Sequence, residues 1–546
     1  MMRGGGLLVA AVTVCAACSS AGGGQLELAT RKSRILDDGE LSEITIKATE
    51  LSGRVGSGVV RLTASAGGFS ESPVQLDAYG TGKTGYSCDQ RTTEGCTGTI
   101  TVRAEWNGAS SELTIRLAER CPGAKLCGEE CATLPTSWHH CGACGRRCQP
   151  MEQCTNGACV PCTGDCDRDG WQESDGDCCD RYDQCSKPEL VNPGAIENAG
   201  NNLDDNCNGL LDGADTLDVS SCDEALGPRV TDPMDWARTL GLCRATTESS
   251  RSWGVISAEL LLADGKPGVP PNSASIRPVF GTIAPQEGSR LAVFATDVAS
   301  DKVQTNPGLS DSTMQTTADI SACDAGSCIR DWLMSARPGV KQAGKLPASA
   351  GCNEATEQKL ANDSVMLKLR IRAPTNAKSF RLRSRFFSLE YPEFVCSQFN
   401  DQMVLLIDTP GATVGNPVDK NLMTYSAGAD AGVWPVGINL AAGTPLFQVC
   451  QSRLEAPTCW DESVSSLSCA QGPGELAQTQ FAASMSGGCV EGGGTVWMGT
   501  RGNVKPGQVF ELRAAVWDVG DHILDSLILL DDFEWFVEEV EPGTGE

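Results

Sequence analysis

Apolar and polar residues alternate along much of this chain. Ile44, Ile46 and Ala48 share one face of an extended run. Val60, Leu62 and Ala64 share another, Ile100, Val102, Ala104 and Trp106 a third, and Leu113, Ile115 and Leu117 a fourth. A period of two predicts half-buried strands, and turn residues separate these runs, so residues 26–118 read as a β-sandwich. The period returns further on. Val365, Leu367, Leu369 and Ile371 alternate with Met366, Lys368, Arg370 and Arg372, and Phe380, Leu382, Ser384 and Phe386 alternate with Arg381, Arg383 and Arg385. These predict strands with apolar residues inward and basic residues outward. The last runs, VFELRAAVWDV and DSLILLDDFEW, complete an antiparallel sandwich of jelly-roll type over residues 222–538. A short helix opens it, with Asp232 as N-cap and Pro233 in its first turn.

A chain of 546 residues is too long for one core, so several domains are expected. The net charge of −27 excludes nucleic-acid partners, which require clustered Lys and Arg.

The start, MMRGGGLLVAAVTVCAACSS, has Arg3, an apolar stretch from Leu7 to Ala17, and Cys18 after small residues. This is a secretory signal too short to span a bilayer. Ala16-Ala17-Cys18 resembles the lipobox of bacterial lipoproteins, although Cys15 stands where that family usually has Leu. The resemblance implies removal of residues 1–17, a lipid on Cys18 and a tether over 18–25. Ser19 and Ser20, with no Asp after the cysteine, imply the outer membrane, with the protein at the cell surface. The alternative is an ordinary cleaved signal and a soluble secreted protein. Export fits the 28 cysteines, which read as a disulfide framework.

The first sandwich resembles bacterial Ig-like surface domains in GVVRLTASAGG, LDAYGTGK and GTITVRAEWNG. Cys88 and Cys96 bracket a loop within it and are expected to pair. Residues 119–162 form a separate module, in which the 39 positions from Cys121 to Cys159 hold eight cysteines, CPGAKLCGEECATLPTSWHHCGACGRRCQPMEQCTNGAC. So short a segment cannot bury a sizeable core and needs cross-links. Zinc on the Cys141–Cys144 pair and the adjacent His139-His140 is the alternative to disulfides.

Residues 163–221 carry the densest charge. Between 165 and 215 there are 14 acidic and 3 basic residues. Asp165, Asp167 and Asp169 alternate and Gly170 follows, the opening of a calcium loop: alternate side chains turn toward one cation and the glycine permits the sharp turn. The twelfth position is Gly176, not Glu, so Asp175, Asp177 and Asp180 are expected to supply the missing ligands. Asp204, Asn206 and Asn208 alternate before Gly209, with Asp212 and Asp215 at the ninth and twelfth positions. The whole stretch resembles the MopE-like metal-binding segments of bacterial surface proteins. One namesake binds copper, but this segment has neither His nor Met, and an all-oxygen donor set suits calcium. The alternative is a solvated acidic linker.

The C-terminal sandwich resembles the choice-of-anchor L family in SRFFSLEYPEFVCSQFNDQMVLLID, in GGGTVWMGTRGNVKPGQVFELRAAVWDVGDHILDSLILLDDFEW, and earlier in WGVISAELLLADG and VFGTIAPQEGSRLAVFAT. That family occurs on bacterial surface proteins and implies a place, not an activity. Asp518, Asp521, Asp525 and Asp531 surround the closing hairpin, as calcium ligands or as turn formers. Arg381, Arg383 and Arg385 form either an anion-binding stripe or a solvated face. Trp497, Trp517 and Trp535 are candidate sugar platforms, and Glu390 with Glu393 a candidate hydrolytic pair. The three histidines, His139, His140 and His522, lack partners in sequence, and no G-x-S-x-G or H-E-x-x-H occurs.

These readings give a mainly β chain: an N-terminal Ig-like sandwich, small disulfide-rich and calcium-loop segments, a C-terminal jelly-roll-like β-sandwich, and an acidic tail over 539–546. The function expected is non-enzymatic adhesion to a surface protein or glycan, through a lipid-anchored chain with calcium as cofactor. A lectin-like protein is the first alternative and a glycoside hydrolase the second.

Overall fold

The computed structural model describes residues 24–545 except 31–33, 51, 53, 119–120, 122–123, 128–129, 150, 199, 212–221, 303–314, 325, 336–351, 353–358, 411–414, 427–432, 443, 453–468 and 485–489. The leader with Cys18, and Asp212 and Asp215, lie outside the described residues. The protein is mainly β and divides into two compact units, one ending at Thr163 and the other beginning at Gly164. No helix among the described residues is long and apolar enough to cross a membrane.

In the first unit two sheets face each other. One runs Gly24–Thr30, Ser42–Glu50, Thr81–Ser87 and Gly68–Phe69; the other runs Arg34–Leu36, Ala109–Ala118, Thr99–Trp106, Val59–Ala64 and Val74–Gln75. The alternating residues Ile44, Ile46, Val60, Leu62, Ile100, Val102 and Ile115 fill the space between them. Trp106 is buried there, and its indole N–H donates to the Ser57 carbonyl at 2.9 Å. Cys88 and Cys96 are bonded to each other. Beyond this sandwich lie two small hairpins, Lys125–Cys127 with Glu130–Ala132 and Glu152–Thr155 with Ala158–Pro161. Four disulfides hold them, Cys121–Cys131, Cys127–Cys144, Cys141–Cys154 and Cys148–Cys159. All eight sulfurs are consumed, so no thiolate remains for zinc.

The second unit is a larger sandwich. One sheet runs Gly254–Leu261, Leu360–Arg372, Val509–Asp518 and Gln402–Asp408, all antiparallel. The other places Ser526–Phe536 and Ser379–Ser388 at its centre, flanked by Leu291–Ala295 and Met498–Asn503. Val365, Leu367, Leu369 and Ile371 meet Phe380, Leu382, Phe386, Ile528 and Leu530 in the shared core. The opening helix spans Met234–Thr239, and the Asp232 carboxylate accepts the Met234 N–H at 3.0 Å.

The outer faces depart from the simple alternation. Met366, Val404, Leu406, Ala515 and Trp517 point away from the shared core but pack under the short helix Arg330–Met334, whose Trp332 lies edge-on to Trp517. Phe387, Leu527 and Leu529 are likewise covered, by Phe280 and Phe481. The stripe of three arginines is therefore divided. Arg385 is buried under this cover, bonded to the Thr495 carbonyl at 2.9 Å and to Glu475 at 2.6 Å. Arg381 and Arg383 stay half-buried and pair with Asp532.

Candidate metal centre

The acidic segment belongs to the second unit and packs on its sandwich. Asn376 clasps Ile196 in both directions, accepting its N–H at 2.9 Å and donating to its carbonyl at 2.8 Å. The Thr375 N–H reaches the Gly194 carbonyl, and the Trp253 indole reaches the Ala195 carbonyl at 3.2 Å. Gly194 is required here, because a Cβ would lie 2.9 Å from Thr375 Cγ2 and 3.0 Å from the Trp171 ring nitrogen.

The loop from Asp165 folds by local hydrogen bonds. The Asp165 carboxylate accepts the N–H groups of Arg168 and Gly170, and Asp169 accepts that of Trp171 at 2.7 Å. Arg168 and Gly170 both adopt positive φ, 69° and 94°. This winding turns the first, third and fifth side chains inward, and carboxylate oxygens of Asp165, Asp167 and Asp169 lie within 4.8 Å of one another. A second trio, Asp167, Asp177 and Asp180, meets the same limit. The two trios share Asp167, so five carboxylates form one linked cluster.

Part of this crowd has hydrogen-bond partners: Asp177 accepts the Cys179 N–H at 2.9 Å and Asp180 accepts the Cys166 N–H at 2.6 Å. Asp167 likewise accepts the Asp169 N–H at 3.1 Å, but not every oxygen is met. One carboxylate oxygen on each of Asp167, Asp169 and Asp177 is buried without a partner. Burial, followed by repulsion from neighbouring carboxylates, pushes Asp167 up to about 9. Burial raises Asp169 to about 7 and Asp177 to about 6. Nearby arginines make ion pairs elsewhere, Arg181 with Glu173 and Asp183, and Arg251 with Asp175 at 3.0 Å. Asp175 is thus held outside the knot. Buried, partnerless oxygens in one cluster suit a hard divalent cation, which would supply the missing charge and take oxygen ligands only. The donor set fits calcium: every member is a carboxylate, and the neighbouring Cys178 and Cys179 are in disulfides with Cys207 and Cys185.

The knot is fastened to the sandwich. Trp171 is buried beneath Arg251, whose guanidinium lies 4.2 Å from the ring centroid and also donates to the Gly170 carbonyl. On the other side, the Thr375 hydroxyl donates to Asn192 at 2.5 Å.

The loop from Asp204 repeats the same turn. Asp204 accepts N–H groups from Asn208 at 2.9 Å and Gly209 at 2.8 Å, and Asn208 accepts that of Leu210. Its fourth and sixth residues, Cys207 and Gly209, again have positive φ, 56° and 88°. Asn206 faces the same turn and accepts the Asn208 N–H at 3.1 Å. Here the side chains are half-buried or exposed, and no second carboxylate trio gathers among the described residues. The buried acid of this loop is one that alternation passed over. Asp205 accepts the Asn201 amide at 2.8 Å and the Asn198 N–H at 3.1 Å, binding the loop together.

The closing hairpin does not assemble its four aspartates into one group. Asp518 is buried against Asp401, which immediately precedes the strand Gln402–Asp408 and which sequence alone did not connect with it. Asp401 accepts the Val519 N–H at 2.9 Å and the Ser526 hydroxyl at 2.6 Å. Burial holds Asp401 up to about 7 and Asp518 well above the usual carboxylate range. Asp521 accepts the Ile523 N–H within its own turn, and the Leu389 N–H donates to the Asp525 carbonyl. Asp531 fastens a distant loop by accepting the Gln286 N–H at 2.5 Å. Of the hydrolytic pair, Glu390 is buried with an unpartnered oxygen and held up to about 9 by burial, while Glu393 is exposed. Trp517 is core, Trp535 packs on Phe380, Phe510 and Phe533, and Trp497 is half-buried. His522 has a partner after all, Asp363 at 2.5 Å from its Nδ1.

No family model matches the chain, and no curated protein does. Among solved structures, the adhesin InvE of Yersinia pseudotuberculosis is similar at 17% identity and a TM-score of 0.16. The match covers 19% of this chain and 30% of that one, and likeness at this level carries no argument.

Proposed function

We propose that this chain is a calcium-dependent binding protein of the cell surface, non-enzymatic and of adhesion type. In this reading a lipid on Cys18 holds it to the outer membrane, and the first sandwich with its cross-linked hairpins forms a stalk. The C-terminal sandwich is the binding head. Calcium orders the base of that head, drawing the Asp165–Trp171 loop and the Asp177–Asp180 turn onto the edge where Trp171, Arg251 and Asn192 fasten them. The observation that carries the reading is the set of three buried, partnerless carboxylate oxygens on Asp167, Asp169 and Asp177. An acidic linker would leave such oxygens in water.

The test is a calorimetric Ca²⁺ titration of the oxidised, metal-stripped mature chain beside the Asp167→Asn and Asp177→Asn double variant. Saturable binding by the wild type, with loss of a site in the variant, supports the reading. Identical traces, or no heat from either, would remove calcium from it.

A further inference from the structure

A cavity of about 410 Å³ opens in the second unit beside the strands Ser379–Ser388, Met498–Asn503 and Gly543–Gly545. Its walls carry three arginines, Arg381, Arg383 and Arg501, against one acidic residue, Glu541. That balance is opposite to the rest of a chain whose net charge is −27. Arg381 and Arg501 stand directly opposite each other on paired strands. Like charges in that position repel unless anions lie beside them.

The carboxylates already present satisfy only part of this set. Arg381 uses one terminal nitrogen, Nη2, for both Asp532 at 3.0 Å and Glu534 at 2.7 Å, while its Nε–H is buried without an acceptor. Arg383 engages Asp532 at 2.7 Å and the Gln286 amide oxygen at 3.3 Å. Arg501 is exposed and has no ion pair among the described residues. A guanidinium offers five N–H donors in a planar fork that matches a carboxylate or sulfate. Room for a ligand comes from glycine: at Gly499 a Cβ would press on Arg381 Cδ at 3.2 Å. Thr424 supplies a hydroxyl to the wall, and Val433 an apolar surface.

We propose that this cavity binds an acidic saccharide, its carboxylate or sulfate gripped by Arg501 with the free N–H groups of Arg381 and Arg383. A sugar ring with a hydroxylated edge and an apolar face fits walls that carry the Thr424 hydroxyl, glycines and Val433, and the volume is that of a small-ligand site. The proposal rests on the reading of this sandwich as a binding head and names the class of its ligand.

The experiment is calorimetric titration of the oxidised, calcium-loaded mature chain with glucuronate, glucose 6-sulfate and glucose. Glucuronate, glucose 6-sulfate or both should saturate the site, and glucose should not. Which of the two binds identifies the anion. Arg501→Gln, a change at an exposed position that leaves the melting temperature unaltered, should weaken binding about tenfold or more, as expected for loss of a charge-assisted contact. No saturation by either acid, equal binding of glucose, or an unchanged affinity in Arg501→Gln overturns the proposal. Calcium binding is read on the same sample, so a chain that takes Ca²⁺ but no acidic sugar loses the cavity proposal alone.

Discussion

The loops that begin at Asp165 and Asp204 have the same turn and different surroundings. Both place an aspartate first, wind through a left-handed fourth residue, and end the turn on a left-handed glycine. In the first, Asp177 and Asp180 return from beyond a short 3₁₀ turn at Glu173–Asp175 and close the knot from behind. In the second, whose Asp212 and Asp215 lie outside the described residues, the buried acid Asp205 faces the loop's own amides. The difference separates two things that one motif is often taken to mean. The turn is local and follows from D-x-D/N-x-D/N-G. A binding site is tertiary and depends on which oxygens are brought back to the turn and denied water.

The largest expected effect comes from breaking the first loop where its two trios meet. Asp167→Asn with Asp177→Asn should lower Ca²⁺ affinity by about two orders of magnitude or more, because it removes two of five charges from the donor set. The same change should raise the stability of the metal-free chain by about 1–3 kcal/mol, since it relieves burial and mutual repulsion of carboxylates. Denaturant melts with and without Ca²⁺ check both signs. Asp204→Asn should change affinity far less; equal losses from the two loops would erase the contrast between them.

Glu390 sharpens the comparison from outside, as a buried acid that belongs to neither trio. Its carboxyl is held up to about 9, chiefly by burial. The folded chain therefore keeps a proton that the unfolded chain releases near its ordinary value. Stability contributed by this group falls as pH rises from about 5 to about 9. Glu390→Gln should flatten that decline by about 1 kcal/mol or more, read as melting temperature across the range. A decline of unchanged slope would assign it to other groups, Asp401 and Asp518 first.

Arg251→Ala tests whether the first loop is fastened to the head. It removes the guanidinium from Trp171, the Gly170 carbonyl and Asp175. A loss of about 1 kcal/mol is expected, with earlier proteolytic cutting near residue 171. The smallest effects test the likeness of the turns. Gly170 and Gly209 both have open space where a Cβ would lie, so Gly170→Ala and Gly209→Ala should each cost only the left-handed backbone term, about 1 kcal/mol. Clearly unequal costs in metal-free chains would show that the two turns differ.

Much of the fold was legible in the sequence. Alternation located the strands of both sandwiches, and Val365 to Ile371 bury the residues their period selects. Alternation assigns a residue to a face but is silent about what covers that face. Met366 and Arg385 read as outward, and they are, yet Trp332 shields one side and the Glu475 segment the other. At the candidate metal centre, spacing singled out Asp165, Asp167, Asp169, Asp177 and Asp180, whose carboxylates the fold gathers into two trios. It also included Asp175, which Arg251 holds elsewhere, because spacing does not register a cation arriving from 76 residues away. The contact between Asp401 and Asp518 was missed for the same reason. Asp518 lies on the strand beside Gln402–Asp408, a relation that only strand pairing creates.

One feature of the first sandwich bears on load. Arg34–Leu36, near its entry, pairs in parallel with Arg116–Ala118, at its exit. A pull that reaches the N-terminal side of Arg34 and the C-terminal side of Ala118 in opposite directions therefore slides these strands along each other. Their hydrogen bonds are strained together, in shear, instead of opening one after another like a zipper. Strands paired this way yield late and abruptly under tension, the mechanical behaviour that the proposed stalk role would ask of this sandwich.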